Sequence, residues 1–210
     1  MAEIEKEFAK ALIELRKEKE RKFNQTLDLI VNLQKFDVKK DSINIFTQVP
    51  NKIKEKKICA FLNSSNKNID TITELEFKKY SDKKELKKLE KSYDFFIAQA
   101  NLMPKVATTF GRVLGPASKM PSPQLGIISE ADDKTIQELK ERINQNIRIR
   151  SKEASIKLGI GKQNMKDEFL IENAVSIYNA LLKILPKSND NIKNVELKFT
   201  MGKPYKIQLK

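Results

Sequence analysis

The segment ICAFL, residues 58–62, is apolar at every position. A strand with both faces buried has this pattern, as in a parallel sheet that helices cover on both sides. A second such segment, YDFFIAQA (93–100), follows the charged stretch SDKKELKKLEKS (81–92), which predicts a helix capped by Ser81. Buried strands that alternate with helices indicate a small α/β unit with a parallel sheet.

The rest of this central region fits such a unit. The segment NIDTITELEF (68–77) predicts a helix or a short strand, and LMPKVATTFGRVL (102–114) predicts a helix with Pro104 in its first turn. A loop rich in proline and glycine follows. Residues 129–144 then predict a helix capped by Ser129, with Asp132 and Asp133 favoured in its first turn by the helix dipole.

On both sides of this region, apolar and polar residues alternate along the predicted strands. TLDLIVNLQ (26–34) and INIFTQV (43–49) each place apolar residues at every second position, as half-buried strands do. We expect these two to pair with each other in antiparallel fashion. IRIRSKEASIKLGIG (147–161) predicts one or two further strands, and VELKFTMGKPYKIQL (195–209) predicts a hairpin.

Two amphipathic helices accompany these strands, at residues 2–22 and 166–185. For the second helix we expect a buried face made of Phe169, Ala174, Val175, Ile177, Leu181 and Leu185. Half-buried strands are thus predicted at both ends of the chain, and fully buried strands between them. The sequence therefore predicts two domains: an α+β domain formed by residues 1–53 and 147–210, and an α/β domain of residues 54–146 inserted into it.

The composition limits the chemistry. The 210 residues include 41 basic and 28 acidic side chains, a formal charge of +13, which favours an anionic partner, nucleic acid before acidic lipid. There is no histidine and only one cysteine, Cys59, so a Cys/His zinc site, a histidine-based catalytic triad and an internal disulfide are excluded. No apolar run approaches the roughly 18 residues of a membrane span, and we expect a cytoplasmic protein.

The sequence lacks both a phosphate-loop motif and a dinucleotide-binding motif. GIGKQN (159–164) would need glycine at 156 and serine or threonine at 163, where the chain has Ile156 and Gln163. The segment after the first buried strand, NSSNKN (63–68), has no glycine, which argues against a bound dinucleotide.

Three basic clusters are more informative about function. One is Lys22 with Phe23, the second is Lys157 with Lys162, and the third is Lys198 with Lys203 around the stretch Thr200, Met201 and Gly202. If both terminal segments share a sheet, these clusters meet on one surface that suits RNA. In the alternative interpretation, Phe23 staples the end of the first helix and Met201 covers the core.

Four stretches resemble those of the large-subunit ribosomal protein of the mobile stalk, the stalk protein numbered one, in its archaeal form. They are KFNQTLDLIVNLQKFDVKK (22–40), YDFFIAQANLMP (93–104), GRVLGPASKMPSP (111–123) and VELKFTMG (195–202). The resemblance implies a split α+β domain and an inserted Rossmann-like domain without nucleotide or other cofactor. It also implies binding to the stalk rRNA of the large subunit, a place near the exit-site tRNA, and repression of translation by binding the protein's own mRNA. Off the ribosome we expect a monomer without a membrane partner.

By the same resemblance, the RNA-binding residues are Lys22, Phe23, Thr26, Lys157, Gly161, Lys162, Thr200, Met201 and Gly202. No catalytic or metal-binding residue is implied. Two positions depart from the family pattern. Lys203 stands where proline is frequent, and Ser118 stands where glycine is usual, so that a left-handed backbone at Ser118 would be strained.

Two alternatives remain at this point. One is a ribosome-biogenesis factor with the same pair of domains, although the compact length argues against the long basic extensions of such proteins. The other is a small α/β enzyme with a pocket at the carboxyl ends of the central strands, near residues 63–66 and Asn101. The missing glycine fingerprint and the missing histidine argue against an enzyme.

Overall fold

The elements follow one another in the mixed order that the sequence predicts. The structure, a computed structural model, describes residues 2–19, 21–38, 40–41, 43–151 and 153–208. In chain order these residues form α1 (Ala2–Arg16), β1 (Thr26–Leu33), β2 (Asn44–Gln48), β3 (Ile58–Phe61), β4 (Asp70–Ile72), α2 (Lys83–Ser92), β5 (Phe95–Gln99), α3 (Met103–Leu114), β6 (Ile127–Ile128), α4 (Asp133–Gln145), β7 (Asn146–Arg150), β8 (Ser155–Lys162), α5 (Asp167–Ile184), β9 (Ile192–Phe199) and β10 (Tyr205–Ile207), with short 3-10 helices at Glu74–Ser81, Ala100–Leu102 and Ser188–Asn191. The predicted combination of α+β and α/β architecture is confirmed.

The chain divides into two units. Unit 1 comprises Met1–Lys54 and Gln145–Lys210, and unit 2 comprises Glu55–Asn144. These divisions fall one and two residues from the boundaries expected at 53/54 and 146/147. The positive charge is unevenly shared: residues 55–144 hold 16 basic and 13 acidic side chains, so unit 1 carries +10 of the total +13.

Unit 1 is built on a four-stranded antiparallel sheet in the order β10-β9-β1-β8. Along β1, alternate side chains are buried and pack in one core with α1 and α5. This core includes Leu27, Leu29, Val31 and Leu33 of β1, Phe8 and Leu12 of α1, and Leu170, Ile177 and Leu181 of α5. The opposite side of the sheet, which we call the outer face, carries the partly exposed residues of β1 together with their neighbours on β8 and β9. It comprises Thr26, Asp28, Ile30 and Asn32, then Lys162, Gly159, Lys157 and Ser155, and then Lys198, Glu196 and Asn194.

The expected pairing of the first two strands is wrong. β1 lies between β8 and β9, and β2 pairs with β7 in a separate two-stranded sheet. Strand length explains this choice, because β1, β8 and β9 each have eight residues, while β2 and β7 each have five. No tight turn joins β1 to β2, so nothing local forces them together. Part of their connection, Lys39 and Ser42, lies outside the described residues.

Two predictions for the helices of unit 1 also need correction. α1 ends at Arg16 instead of Lys22, because Leu15 is its last buried apolar residue; Glu20, within the predicted extension, lies outside the described residues. Phe169 does not face the core: its side chain is 39% exposed, and the next residue, Leu170, is fully buried. The hairpin of β9 and β10 and the two separate strands within residues 147–161 form as predicted.

Unit 2 contains a parallel sheet in the order β4-β3-β5-β6. All four residues of β3 are buried, as its continuous apolar run predicts. An aromatic cluster packs beside the sheet: the ring of Phe61 lies 5.7 Å from that of Phe96 and 4.7 Å from that of Phe110. Such ring pairs add to the free energy gained from burial alone.

The ends of two helices in unit 2 differ from expectation. α2 is capped by Asp82, whose carboxylate accepts a hydrogen bond from the backbone nitrogen of Lys84, and not by Ser81. α4 begins at Asp133, four residues after Ser129, so Ser129 does not precede it directly. The carboxylate of Asp133 instead accepts hydrogen bonds from the side-chain amides of Asn66 and Asn68.

The backbone at Ser118 is left-handed, which is the conformation expected to be strained when serine replaces the usual glycine of the family. Its φ is 60°, a region that costs a residue with a Cβ roughly 1 kcal/mol relative to the ordinary helical region. Serine at this position therefore stores local strain that glycine would not.

Candidate nucleic-acid interface

Several predicted site residues lie at one end of the four-stranded sheet of unit 1. Thr26 begins β1, and it stands opposite Lys162 at the end of β8. Phe199, the last residue of β9, stands opposite Leu27. The segment before β1 and the loop from Thr200 to Pro204 therefore meet at this end, as does the turn after β8. We call it the binding end.

Thr200 is fixed to Thr26 by three hydrogen bonds. Its backbone nitrogen donates to the carbonyl oxygen of Thr26 at 3.1 Å. Its hydroxyl accepts a bond from the Thr26 nitrogen at 3.0 Å and donates one to the Thr26 carbonyl oxygen at 3.2 Å. The hydroxyl thus extends the ladder between β1 and β9 by one residue, and its proton is used within the protein.

Gln25 organises the binding end from beneath. Although polar, it is only 5% exposed. Its side-chain oxygen accepts a hydrogen bond from the backbone nitrogen of Met201 at 3.0 Å, and its amide nitrogen donates to the side-chain oxygen of Gln163 at 3.3 Å. The backbone nitrogen of Gln163 in turn donates to the carbonyl oxygen of Gln25 at 2.8 Å. Gln25 therefore connects the loop after β9 with the turn after β8.

Phe23 and Met201 project from this framework into solvent. Their exposed fractions are 52% and 60%. The alternative interpretation, in which Phe23 staples a helix end and Met201 covers the core, is therefore wrong. Both side chains are therefore accessible to a partner, and their role in RNA binding stays a prediction.

The three lysines of the predicted site differ in their positions on unit 1. Lys162 donates from Nζ to the hydroxyl of Thr26 at 2.8 Å, which keeps its ammonium on the outer face at the binding end. Lys22 is exposed and precedes Phe23 directly. Lys157 is also exposed but stands opposite Ile30, four residues along β1 from Thr26, or roughly 14 Å at the spacing of an antiparallel strand. Lys157 thus lies on the same face and outside the binding end.

Gly161 is buried, unlike the other predicted site residues. A Cβ built on it would overlap Cδ2 of Leu170 and lie 3.1 Å from the sulfur of Met165. The missing side chain makes room for α5 to pack against β8. A contact from Gly161 to RNA stays a prediction, and it could use only the backbone.

Gly202 faces a carboxylate of its own chain. The Glu18 side chain fills the space that a Cβ at Gly202 would occupy, and its Oε1 accepts a hydrogen bond from the backbone nitrogen of Lys203 at 3.0 Å. Proline has no backbone N–H and could not make this bond. Lys203, where the family favours proline, therefore ties the loop to the segment that follows α1.

Arg16 supports the turn after β8. Its guanidinium pairs with Asp167 at the start of α5, with an Nε to Oδ1 distance of 2.7 Å. It also donates to the carbonyl oxygens of Gln163 and Met165, each at 3.2 Å. Sequence reasoning did not find Arg16, Glu18 or Gln25, since each acts on residues more than 100 positions away and no local pattern marks them.

Asp28 is an acidic residue within the cationic outer face. It stands opposite Lys198 on β9 and Gly159 on β8. Burial raises the pKa of its carboxyl, and the nearby ammonium groups of Lys198 and Lys162 oppose this rise without cancelling it. Desolvation of the charge is therefore the stronger effect at this site.

Other kinds of site find less support. Within the described residues, no group of three or more histidine, cysteine or acidic side chains could hold a metal ion, and no helix is long and apolar enough to cross a membrane. Unit 2 has a cavity of about 440 Å³ lined by Lys56, Lys57, Asp70, Tyr93 and Lys140 among others. It lies at the amino ends of β3 and β4, whereas the enzyme alternative requires the carboxyl ends.

The sequence is similar to known proteins over most of its length. The model of a family described as the ribosomal protein L1p/L10e family matches residues 15–203. The large ribosomal subunit protein uL1 of Nanoarchaeum equitans is 34% identical over 202 residues, which cover 91% of this chain and 95% of that protein. The protein of the same name from Thermofilum pendens is 36% identical over 202 residues, covering 90% and 86%, and that from Cenarchaeum symbiosum is 30% identical over 208 residues, covering 94% of each.

These matches are to ribosomal proteins over nearly the whole chain, and they confirm both the resemblance to the archaeal stalk protein and the expectation that this protein is not an enzyme. Because the family model matches residues 15–203 and these relatives are 30–36% identical over at least 90% of the chain, the chain belongs to the ribosomal protein L1p/L10e family.

Proposed function

We propose that this protein is a structural component of the large ribosomal subunit in the cytoplasm and binds stalk rRNA near the tRNA exit site. The similar archaeal proteins carry the name large ribosomal subunit protein uL1, which supports the ribosomal role. We further propose that units 1 and 2 correspond to the two expected domains, with unit 1, which holds +10 of the charge, as the RNA-binding domain.

One observation supports the assignment of the site: Phe23 and Met201 are both exposed at the binding end. Gln25, two residues after Phe23, is bonded to Met201, and Lys22 and Lys162 lie at the same end. An aromatic ring and a flexible thioether give apolar faces for ribose or base edges. Lys22 and Lys162 supply positive charge for phosphates. The Thr200 hydroxyl uses its proton within the protein, so we expect it to act on RNA only as an acceptor. The Thr26 hydroxyl accepts a bond from Lys162, so we expect it to meet RNA as a donor.

The same surface would serve the other proposed partners. A messenger RNA that copies the shape of the rRNA site would compete for Phe23, Met201 and Lys162, which would account for repression of the protein's own translation. Contact with the exit-site tRNA would follow from the position of the stalk, and off the ribosome we propose a monomer. Because recognition rests on shape, ribose and phosphate, few base-edge contacts are required.

Binding to a stalk-rRNA fragment, titrated with salt, tests the proposal. An unrelated RNA duplex of equal length is the control. We expect a preference for the stalk fragment that persists at high salt, because apolar and hydrogen-bond contacts are screened less than phosphate contacts. Equal affinity for both RNAs at every salt concentration would refute the proposed site. Co-sedimentation with mature large subunits after a high-salt wash tests ribosomal membership separately and distinguishes a structural component from a biogenesis factor.

A further inference from the structure

The backbone amide of Lys203 has a different kind of partner from the other amides of its loop. Residues 200–203 each offer one backbone N–H. The first three donate within the framework of unit 1: Thr200 to the carbonyl oxygen of Thr26, Met201 to the side-chain oxygen of Gln25, and Gly202 to the carbonyl oxygen of Phe199. Lys203 instead donates to the carboxylate of Glu18, an exposed side chain in the segment after α1. Such a side chain can leave its bond without disturbing the sheet.

Gly202 opens the space in which this carboxylate lies. A Cβ at Gly202 would overlap Oε2 of Glu18 and lie 3.2 Å from its Cδ, so the carboxylate lies directly over the glycine backbone. Glycine is the residue that allows a ligand to approach a backbone this closely. An oxyanion therefore finds both room and an N–H donor at this point of the loop.

The bond to the Lys203 amide is the one polar contact of the Glu18 carboxylate. Among the residues that the structure describes, this carboxylate forms no ion pair and accepts no other hydrogen bond. Glu14, four residues earlier, differs in that it pairs with Lys17 at 2.6 Å. A single hydrogen bond to an exposed carboxylate is broken at low cost, since water solvates the charge once it is released.

The surroundings favour an anion from a partner over an internal one. Unit 1 carries +10 of the formal charge, and the exposed Met201 adjoins Gly202 at the binding end. Backbone N–H groups are common donors to the phosphates of nucleic acids. A phosphate oxygen and a carboxylate oxygen are charged acceptors of the same kind, and they repel each other, so only one of them can occupy this N–H at a time.

We infer that the Lys203 amide is a phosphate-binding position for RNA, which the Glu18 carboxylate occupies in the free protein and leaves when RNA binds. This rests on the proposed function and deepens it by naming a phosphate contact and an internal competitor for it. The N–H keeps an acceptor in both states. Proline, which is frequent at this position in the family, would remove both the phosphate contact and the bond that holds the competitor.

The affinity for the stalk-rRNA fragment tests this competition. Glu18→Ala removes the competitor, and Glu14→Ala is the matched control, because it removes an exposed carboxylate that is bonded to Lys17 and not to the loop. Glu18→Ala is then repeated together with Lys203→Ala, which keeps the N–H, and with Lys203→Pro, which removes it. Circular dichroism and thermal unfolding establish that each variant is folded, and an unrelated duplex of equal length serves as the second RNA.

We expect Glu18→Ala to raise the affinity for the stalk fragment about fivefold, the equivalent of one net hydrogen bond, and Glu14→Ala to raise it by clearly less. The gain from Glu18→Ala should persist in the Lys203→Ala background. In the Lys203→Pro background it should fall to the gain of Glu14→Ala, because the amide is what brings the carboxylate and the phosphate to the same place. An equal gain from Glu18→Ala in all three backgrounds overturns the inference.

The amide resonance of Lys203 gives a readout that does not need the proline variant. In isotope-labelled free protein, this resonance should differ between the wild type and Glu18→Ala, because the carboxylate is the acceptor in one and water in the other. In the complex with the stalk fragment the two resonances should coincide, since a phosphate is then the acceptor in both proteins. A difference that persists in the complex overturns the inference.

Failure of the inference and failure of the proposed function give different results. A wild type that prefers the stalk fragment, with equal gains from Glu18→Ala and Glu14→Ala, overturns the phosphate position and leaves the proposed function standing. A wild type that does not distinguish the stalk fragment from the unrelated duplex refutes the proposed function and, with it, the inference.

Discussion

The hydroxyl of Thr200 bonds to both backbone polar atoms of Thr26, 174 positions earlier in the chain. The hydroxyl accepts a bond from the Thr26 nitrogen at 3.0 Å and donates one to the Thr26 carbonyl oxygen at 3.2 Å. A side chain here completes a pairing that backbone atoms make elsewhere in the sheet. The contact holds Met201, one residue later, beside the segment that presents Phe23.

Replacement of Thr200 by valine should therefore weaken the binding end without emptying any space. Valine has nearly the same shape but no hydroxyl, so the Thr26 nitrogen loses its acceptor. We expect the free energy of unfolding to fall by about 1 kcal/mol, the usual net value of a hydrogen bond. Urea denaturation measures this change. Thr200→Ser, which keeps the hydroxyl, is the control, and an equal loss in both variants would contradict this role of the hydroxyl.

The apolar pair should dominate RNA affinity. Loss of the Phe23 ring in Phe23→Ala removes a stacking surface worth about 1–3 kcal/mol per base, so the affinity should fall by roughly fivefold to a hundredfold. Met201→Asp should do at least as much, because it places a negative charge where phosphates approach. Filter binding with the stalk fragment measures both.

The control for this prediction is the double replacement of Lys84 and Lys87 by alanine on α2 of unit 2. Both lysines are exposed and lie outside the proposed RNA-binding unit. This double variant loses two positive charges, so it measures how far a general loss of charge weakens RNA binding. Equal losses from the apolar and the lysine variants would refute the assignment of the site.

Sequence periodicity predicts most of the helices and strands, but it does not predict which distant strands pair with one another. The continuous run at Ile58–Phe61 and the alternation at Leu27, Leu29 and Val31 each report the burial of their own strand, and both predictions hold. The partner of β1 depends on strands more than 120 positions away, so the local pairing with β2 was expected in error. Gln25 shows the same limit within the site: a buried glutamine looks like any polar residue until the loop that it holds is placed in space.

Gly159 and Gly161 form a matched pair on one strand, because alanine should act on different properties at the two positions. At Gly161 the added methyl group overlaps the buried Leu170, and overpacking of this kind costs about 1–3 kcal/mol of stability. At Gly159 the nearest atom is a methyl carbon of Thr26 on the partly exposed outer face, at 3.0 Å, so stability should change little.

RNA binding should show the opposite order for these two variants. The methyl group in Gly159→Ala would lie 3.0 Å from Cγ2 of Thr26 and 3.5 Å from Oδ1 of Asp28 on the outer face, so it should reduce affinity for the stalk fragment. Folded Gly161→Ala, whose methyl group points to the core, should bind nearly as the wild type does. Thermal unfolding and filter binding on the same preparations check both parts. A destabilised Gly159→Ala with unchanged RNA affinity would contradict this prediction.

Ser118→Gly should stabilise unit 2. The left-handed backbone at φ 60° costs serine roughly 1 kcal/mol, and glycine adopts it without that cost. The greater flexibility of glycine in the unfolded chain offsets part of the gain, so we expect an increase of about 0.5 kcal/mol. A higher midpoint in urea denaturation, with RNA affinity unchanged, is the expected result. Ser118→Ala, which keeps the Cβ and its strain, is the control and should show no gain.

Asp28→Asn should stabilise the protein near neutral pH and lose that advantage in acid. The pKa of Asp28 is raised in the folded state, mainly by burial, so the folded protein holds the proton more tightly than the unfolded chain. For a carboxyl shifted in this direction, the charged form weakens the folded state, and this penalty appears as the pH rises through the window between the ordinary value of 3.8 and the higher folded-state value. Asparagine carries no such charge at any pH.

Urea denaturation near neutral pH and again below pH 3.8 measures the difference in unfolding free energy between variant and wild type. This difference should be positive near neutral pH and should shrink below pH 3.8. A variant less stable than the wild type at neutral pH would mean that attraction to Lys198 and Lys162 outweighs desolvation.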